Sequence, residues 1–538
     1  MLNLNAASVK EKANEWSAVK VALPKFDWQE MSDYTHQHPV WVHFGAGNIF
    51  RGFIACLQQN LLNEGLAKSG IIAADTFDYD IIDKIYTPHN HMTLNVTLNA
   101  DGTTSREIIA SIAEGLRADS TDAAQMSRLK EIFVNPELQM VSFTITEKGY
   151  ALGNMAGELM PVVAADMQDG PAKARHAMSM VTALMWERYQ ACKAPIALVS
   201  MDNCSHNGEK LQNSVLAIAK AWKENGFVDE GFLAYLSDEK QVSFPWSMID
   251  KITPRPHQMV QDSLTADGIA DMEPIVTGKN TFIAPFVNAE RPQYLVVEDK
   301  FPNGRPALEK AGVYLTDRDT VNNTEKMKVT TCLNPLHTAM SVFGCMLGYT
   351  LICEEMKDSD IVALIKRLGY VEGLPVVVDP KILSPKAFID EVVEQRLPNP
   401  FMPDAPQRIA TDTSQKVGIR FGETIKSYLA AGKPVTDLIS VPLALAGWLR
   451  YLLAVDDNGQ PMEVSSDPMK EELQAKLAGI VVGKPETYNG QLKEILSNAV
   501  IFGTDLVKAG LADKIEAMFC DMLAGNGAVR ATLQKYLA

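Results

Sequence analysis

Cysteine is scarce in this chain: seven residues among 538, an odd number, scattered and never in a CxxC pair. Such spacing gives neither a disulfide framework nor a thiolate zinc site, and it suits a reducing compartment. Long apolar runs are missing as well. No stretch reaches the ~18 uninterrupted apolar residues of a membrane span. The N-terminal "MLNLNAASVKEKANEWSAVK" has no apolar core behind a basic start, so a cytoplasmic setting is expected rather than a secretory one. Positive charge is in deficit, with 50 Lys and Arg against 66 Asp and Glu and a net charge of −16. Nucleic acid and anionic membrane surfaces are thereby disfavoured as main partners, and an anionic small molecule needs its own local group of Lys and Arg. Low-complexity linkers, fixed-period repeats and coiled-coil heptads are also absent, which leaves a monomer or small homo-oligomer as the expectation.

What is present is ordinary globular material, 46% hydrophobic and 22% charged, long enough for about two to four domains. Four short apolar runs read as strands: "VWVHF" (40–44), "GIIAADTFDYD" (70–80), "LQMVSFTIT" (138–146) and "APIALVSMDN" (194–203). Each is reached through a segment of helical periodicity, such as Phe53, Leu57 and Leu61, stopping near Gly65. That alternation predicts an α/β fold with a parallel sheet covered on both faces. Beyond about residue 315 the pattern changes to amphipathic stretches such as "PLHTAMSVFGCMLGY", "DSDIVALIKRLGY" and "DLISVPLALAGWLRYLLAV".

The first run ends in Gly45-Ala46-Gly47. In a dinucleotide fold the first glycine permits the tight turn, the second lets the pyrophosphate approach the backbone, and the helix N-terminus supplies N–H groups. Phe50 stands where a third glycine belongs, so the pattern alone suits a plain strand-to-helix turn equally well. The following strand ends on Asp75, 28 residues beyond Gly47, placed to accept from ribose hydroxyls; a solvated acidic loop is the competing reading. "DTFDYD" holds no basic residue, which favours NAD over NADP. We therefore expect a Rossmann-like doubly wound domain over residues 1–315 and a mainly α-helical one over 316–538.

Polar clusters interrupt the apolar pattern. "SMDNCSHNG" (200–208) follows the fourth strand, where a parallel sheet opens its ligand crevice, so Asp202, Asn203, His206 and Asn207 are candidates; an Asx-rich turn is the alternative. The same holds for Asp250 and Lys251 in "FPWSMIDKITPRP". "EKMKVTTCLNPLHTAM" (325–340) carries Lys328, with Asn334 before Pro335 as a helix N-cap and His337 in the first turn. A lysine in a desolvated cleft can act as general base toward an alcohol, and an Asn amide and a His N–H can hold the oxygen; a surface lysine and an ordinary cap are the alternative. In "RIATDTSQK", Arg408 and Lys416 bracket Asp412 and Ser414, as carboxylate or hydroxyl partners or as part of a solvated face. The Tyr-x-x-x-Lys match at Tyr189 and Lys193 directly precedes a strand and is set aside.

Taken in order, "FGAGNIFRG", "TITEKGY", "SMDNCSHNG", "FPWSMIDKITP", "VVEDKFPNGRPALEKAGV", "EKMKVTTCLNPLH" and "RIATDTSQK" resemble the mannitol dehydrogenase family, the polyol-specific long-chain dehydrogenases, over nearly the whole chain. The resemblance implies a metal-independent, NAD-dependent oxidoreductase acting on a small polyol or sugar acid. It implies Lys328 as general acid/base, Asn334 and His337 as holders of the substrate oxygen, Asn203 as a polarising group and Glu325 as a proton relay. Arg408, Lys416 and Asp250 match substrate positions, and Lys148 is a further possible carboxylate partner. Gly45, Gly47, Asn48, Ile49, Phe50, Arg51 and Asp75 fall to the cofactor. An aldonate/ketouronate pair, mannonate and fructuronate, is the expected substrate, with a hexitol or tagaturonate as alternatives. Two departures stand out. Five residues separate Lys328 from Asn334, one more than the family's usual spacing, and "NPLH" replaces an "NGSH"-like turn. The longer spacing calls for a bulge or helix break, or else an altered lysine; a catalytically silent NAD-binding protein is the further alternative.

Overall fold

The computed structural model describes residues 1–154 and 156–538. Six of its strands form one sheet: β1 (Trp41–Phe44), β2 (Ile71–Asp75), β3 (Ile112–Arg117), β4 (Met140–Phe143), β5 (Ile196–Ser200) and β6 (Val242–Ser243). All neighbours are parallel and the order is β3-β2-β1-β4-β5-β6. Because successive side chains alternate in direction, Val42, Phe44, Val141 and Leu198 enter one core while Trp41, Ala73, Met140 and Val199 enter the other. Both faces are apolar, which is why these strands read as continuous hydrophobic runs. Helices Ala123–Val134, Ala177–Ala191 and Asn207–Glu224 cover the first face. A π-turn at Phe50–Ile54 and α1 (Ala55–Asn63) contribute to the other.

This is the doubly wound, Rossmann-type arrangement expected, and its strand order reverses between β1 and β4, the point at which such sheets open a ligand crevice. The sequence did not mark β3, whose "IAEGLR" mixes charge and glycine at a sheet edge, nor the two-residue β6. Nor did it mark the antiparallel pair Thr93–Leu98 and Thr104–Ile109, which belongs to a separate four-stranded sheet.

The chain divides into two compact bodies, Met1–Asn99 with Thr103–Asn322, and Ala100–Gly102 with Asn323–Ala538. The change falls within α2 (Arg318–Met327). In the second body, α3 (Asn334–Leu347) is buried around almost its whole circumference and packs against Ser359–Lys366, Pro406–Ile409 and α4 (Ser440–Tyr451). A helix apolar all round is a core helix. Its approach to α4 needs Gly447, where a Cβ would lie 2.6 Å from the Phe343 ring.

Glu372 anchors α4. Its buried carboxylate accepts from the N–H groups of Ile439 (2.9 Å), Ser440 (2.7 Å) and Val441 (2.9 Å), satisfying orphan donors and complementing the helix dipole. No helix among the described residues is long and apolar enough to cross a membrane, and the seven cysteines are free.

Removing the Glu372 carboxylate strands three donors in the interior. Glu372→Ala is expected to cost about 2–3 kcal/mol and to lower the thermal unfolding midpoint, with Glu372→Gln losing less. A midpoint unchanged in both variants would show that α4 does not depend on this cap.

Candidate functional site

The turn after β1 is built by close contact and buried hydrogen bonds. Gly45 has φ +102°, and a Cβ there would lie 2.2 Å from the Thr144 carbonyl oxygen, so only glycine fits. Trp41 Nε1 donates to Ser142 Oγ (2.7 Å), which lies 2.6 Å from His43 Nδ1; His43 Nε2 lies 2.8 Å from Thr144 Oγ1, which donates to the Gly45 carbonyl (3.3 Å). With the Thr144 proton directed at Gly45, the His43 Nε2–H must be the donor to Thr144, and Nδ1 accepts from Ser142. His43 is thus neutral, in keeping with complete burial that pushes it down to about 3, and it stacks on Phe50 at 4.2 Å.

Asp75 closes the other side of the turn. It accepts from the N–H groups of Ala46 (3.0 Å), Phe77 (2.8 Å) and Asp78 (2.9 Å). Burial raises its pKa and those bonds oppose the rise. Three of its roughly four acceptor directions are engaged, leaving one for a hydroxyl. A Cβ at Gly47 would meet nothing within 4 Å, so the backbone is approachable there, and the helix that follows begins with N–H groups lacking intrahelical acceptors. These features fit a dinucleotide pyrophosphate. Asn48, Ile49 and Phe50 form the helix start. Arg51 turns inward, donating to Ala284 O (2.7 Å), Thr93 Oγ1 (3.0 Å) and Asn48 Oδ1 (3.0 Å), so its guanidinium secures the turn from behind. A basic residue does reach the acidic loop after β2: Lys279 Nζ lies 5.3 Å from the centre of the Phe77 ring, brought there from about two hundred residues away as Thr277 donates to Asp78 (2.6 Å).

The loops after β4 and β5 are joined by Asp202, which accepts from Ile145 N (2.8 Å), Thr146 N (3.0 Å) and Tyr150 Oη (2.6 Å). Asn207 is buried and bonded to Ser200, Asp202 and Ser247, a structural brace. Asn203 and His206 are exposed, His206 against Trp246. Lys148 is exposed on the short helix Thr146–Tyr150, and Asp250 is buried at the end of the strand Ser247–Asp250. Lys251 donates to Gln293 Oε1 (3.1 Å) and to the Glu290 carbonyl. Lys193 sits over the Tyr189 ring at 4.6 Å, a packing pair.

In the second body Lys328 is 3% exposed, whereas Lys326 is on the surface, 3.9 Å from Glu423. Glu325 is half-buried in the last turn of α2. Lys328 opens a π-turn that runs to Cys332 and is closed by Leu333 N–H donating to Lys328 O (3.1 Å). A π-turn accommodates one residue more than an α-turn, so a bulge does stand between Lys328 and Asn334. The expected N-cap requires correction. Leu333, outside helical geometry at φ −130°, ψ −63°, takes the cap position, and Asn334 is the first residue of α3. Its amide is therefore not used as a cap.

His337 lies in the first turn of α3, its Nε2 3.3 Å from Asp404 Oδ2 but without hydrogen-bond geometry. Burial lowers its pKa, Asp404 opposing and Arg420 and Arg408 adding to the effect. Asp404 is held low by His337 and Arg408 although burial pushes the other way; Arg408 Nε donates to it at 2.8 Å. Lys416 donates to the carbonyls of Ile409 (3.3 Å) and Thr411, and burial, then Arg420, lowers its pKa. Sequence reasoning missed Arg420 and Asp404. Arg420 sits in a π-turn, Gly418–Gly422, packed on both the Lys328 turn and α3; its only signal was a charge inside "VGIRFG". The second body thus holds Lys328, Asn334, His337, Arg408 and Lys416, with His337, Arg408 and Lys416 drawn together around Arg420, while the first holds the glycine turn, Asp75, Lys148, Asn203 and Asp250.

Residues 40–310 match the mannitol dehydrogenase Rossmann domain and residues 320–522 the mannitol dehydrogenase C-terminal domain. The chain belongs to the mannitol dehydrogenase family. It is 50% identical over 539 aligned positions to D-mannonate oxidoreductase of Thermotoga maritima, covering 99% of each chain. It is 31% identical to mannitol 2-dehydrogenase of Pyrenophora tritici-repentis over 81% of this chain and 73% of that one. Among solved structures it resembles Pseudomonas fluorescens mannitol 2-dehydrogenase in ternary complex with NAD and D-mannitol, with a TM-score of 0.69, 26% identity and 99% of both chains covered. Substrate-free D-sorbitol dehydrogenase shares the fold at a TM-score of 0.77 and 24% identity, over 96% of this chain and 97% of that one.

His43 makes the glycine turn acid-sensitive. Its ordinary value of 6.5 falls to about 3 in the fold, so between those values the unfolded chain binds a proton that the folded chain refuses. The contribution is complete above pH 6.5 and is lost as pH falls toward 3. Unfolding measured across that window should show His43→Gln taking up about one proton fewer on unfolding than the parent. Identical slopes would disprove the buried neutral imidazole.

Proposed function

We propose that this chain is an NAD-dependent oxidoreductase interconverting D-mannonate and D-fructuronate without a metal. The observation that carries this reading is the make-up of the second body: a buried lysine in the turn that leads into the Asn334 and His337 helix, with Arg408 and Arg420 close enough to act on His337 and Lys416 close to Arg420, on an acidic chain. Its near full-length likeness to a D-mannonate oxidoreductase supports the same substrate. In this reading residues 1–315 hold the cofactor through Gly45, Gly47, Asn48, Ile49 and Phe50, with Asp75 toward the ribose and Arg51 fixing the turn. Residues 316–538 carry the proton chemistry.

NAD, when bound, supplies the acceptor or donor of the hydride. Lys328 takes the hydroxyl proton as the carbonyl forms, and returns it to the oxygen in reduction. The Asn334 amide and a His337 ring N–H donate to that oxygen, holding the charge it develops. Asp404, 3.3 Å from Nε2, places a negative charge beside the imidazole. Glu325 passes the lysine's proton onward; Arg408 and Lys416 are the further substrate candidates of the second body, and Lys148, Asn203 and Asp250 are those of the first.

Loss of NADH absorbance with fructuronate, tagaturonate and fructose tests this directly: turnover selective for fructuronate is expected, and activity on fructose alone would make the protein a hexitol dehydrogenase. Lys328→Ala should lower kcat by about 10²–10⁴-fold while NADH affinity changes little; strong residual turnover would remove Lys328 from its role. Gly47→Val, which fills the open space at the turn, should weaken NADH in equilibrium binding while the protein stays folded, whereas Gly45→Ala should lower its stability. The reverse pattern would move the pyrophosphate away from Gly47.

A further inference from the structure

The cationic group around His337 holds one charge that its protein surroundings do not answer. Arg408 is engaged by Asp404, and Lys416 by two backbone carbonyls. Arg420 donates from Nη1 to the neutral Thr338 hydroxyl, and no carboxylate lies within ion-pairing distance of it among the described residues. Burial pushes it down to about 10, so it stays charged at neutral pH. Arg420 is half-buried, and a guanidinium partly withdrawn from water without a counter-charge is costly, a cost retained where an incoming anion completes the pair.

Its placement is specific. Thr338 follows His337 in the first turn of α3, and its hydroxyl also bonds the Asn334 carbonyl at 2.9 Å. The helix that continues from the Arg420 turn, Glu423–Ala430, is joined to the Lys328 turn by Thr424 Oγ1 donating to Thr330 O at 3.5 Å. With Nη1 turned to Thr338, the Nε and Nη2 edge remains, the two-donor geometry that matches a carboxylate.

We infer that Arg420 is the residue that recognises the substrate carboxylate, selecting a sugar acid over a neutral polyol. This deepens the mannonate reading above and rests on it. Arg408 then positions Asp404 and His337 instead of meeting the acid itself.

The test is titration of D-mannonate and D-mannitol, separately, into the NADH-loaded protein, where neither is turned over, for the parent, Arg420→Gln and Arg420→Lys. The preference for mannonate over mannitol should fall by about 30-fold or more in Arg420→Gln. Arg420→Lys should recover part of it, because a point charge remains without the fork. With fructuronate the change should fall on KM more than on kcat, and should exceed any change with fructose. Equal weakening of both ligands, an unchanged preference, or a parent protein with no preference for mannonate would overturn the assignment. A parent that prefers mannonate yet turns over no ketouronate would defeat the proposed reaction, while the Arg420 variants still decide the carboxylate site.

Discussion

The first body depends on the contact between Gly45 and the Thr144 carbonyl. At 2.2 Å from a hypothetical Cβ, it brings the chain leaving β1 against the chain leaving β4, the two strands between which the order reverses. Everything around it secures that approach. The Trp41, Ser142, His43 and Thr144 chain links the two strands through side chains that are fully or nearly buried. Asp75 then fixes Ala46 from the β2 side, and Asp202 fixes Ile145 and Thr146 from the β5 side. Two inward carboxylates bonded to backbone N–H groups therefore hold four loops, those after β1 and β2 and those after β4 and β5. Gly47 remains the position in the turn with space in front of it.

The second body solves a different problem, that of presenting an amine from a helical interior. A continuous α-helix through residues 318–347 would include Pro335, whose missing N–H and ring conflict with the preceding turn. The π-turn from Lys328 ends the first helix early, and Leu333 breaks geometry so that Pro335 falls in the first turn of α3, where its missing N–H costs nothing. The extra residue and the proline are thus two parts of one arrangement. Arg420 stands in another π-turn packed against this one, so the lysine and the arginine are both held where helical hydrogen bonding is locally widened.

Much of this was legible in the sequence. The four strands were visible because both their faces are buried, and the Gly45 turn because positive φ leaves glycine behind. Spacing from Glu325 favoured Lys328 over Lys326 in the sequence, and in the fold the first is buried and the second exposed. What the sequence hid was mostly tertiary. Nothing local marks Asp75 as a brace of the turn, or Arg51 as an inward anchor, because their partners Ala46, Thr93 and Ala284 lie far from them in the chain. Lys279 reaches the Phe77 loop from about two hundred residues away. Asn334 was misread as a cap because a proline normally signals a helix start directly before it, whereas the π-turn had already supplied the break at Leu333.

Charge explains why the cationic group is confined. A net charge of −16 repels an anionic ligand at long range, an effect that solvent screens beyond about 8–10 Å. Specific attraction must then come from cations withdrawn from solvent, where screening is weak. Arg408, exposed and paired with Asp404, contributes little of it. Lys416 and Arg420 are more deeply placed, and burial depresses both. Of these, the lysine has backbone oxygens to stabilise its charge, while the arginine has a single neutral hydroxyl. The same desolvation that makes an unanswered guanidinium unfavourable makes its bond to a carboxylate strong, so the residue least well satisfied by the fold is the one best able to discriminate an acid from an alcohol.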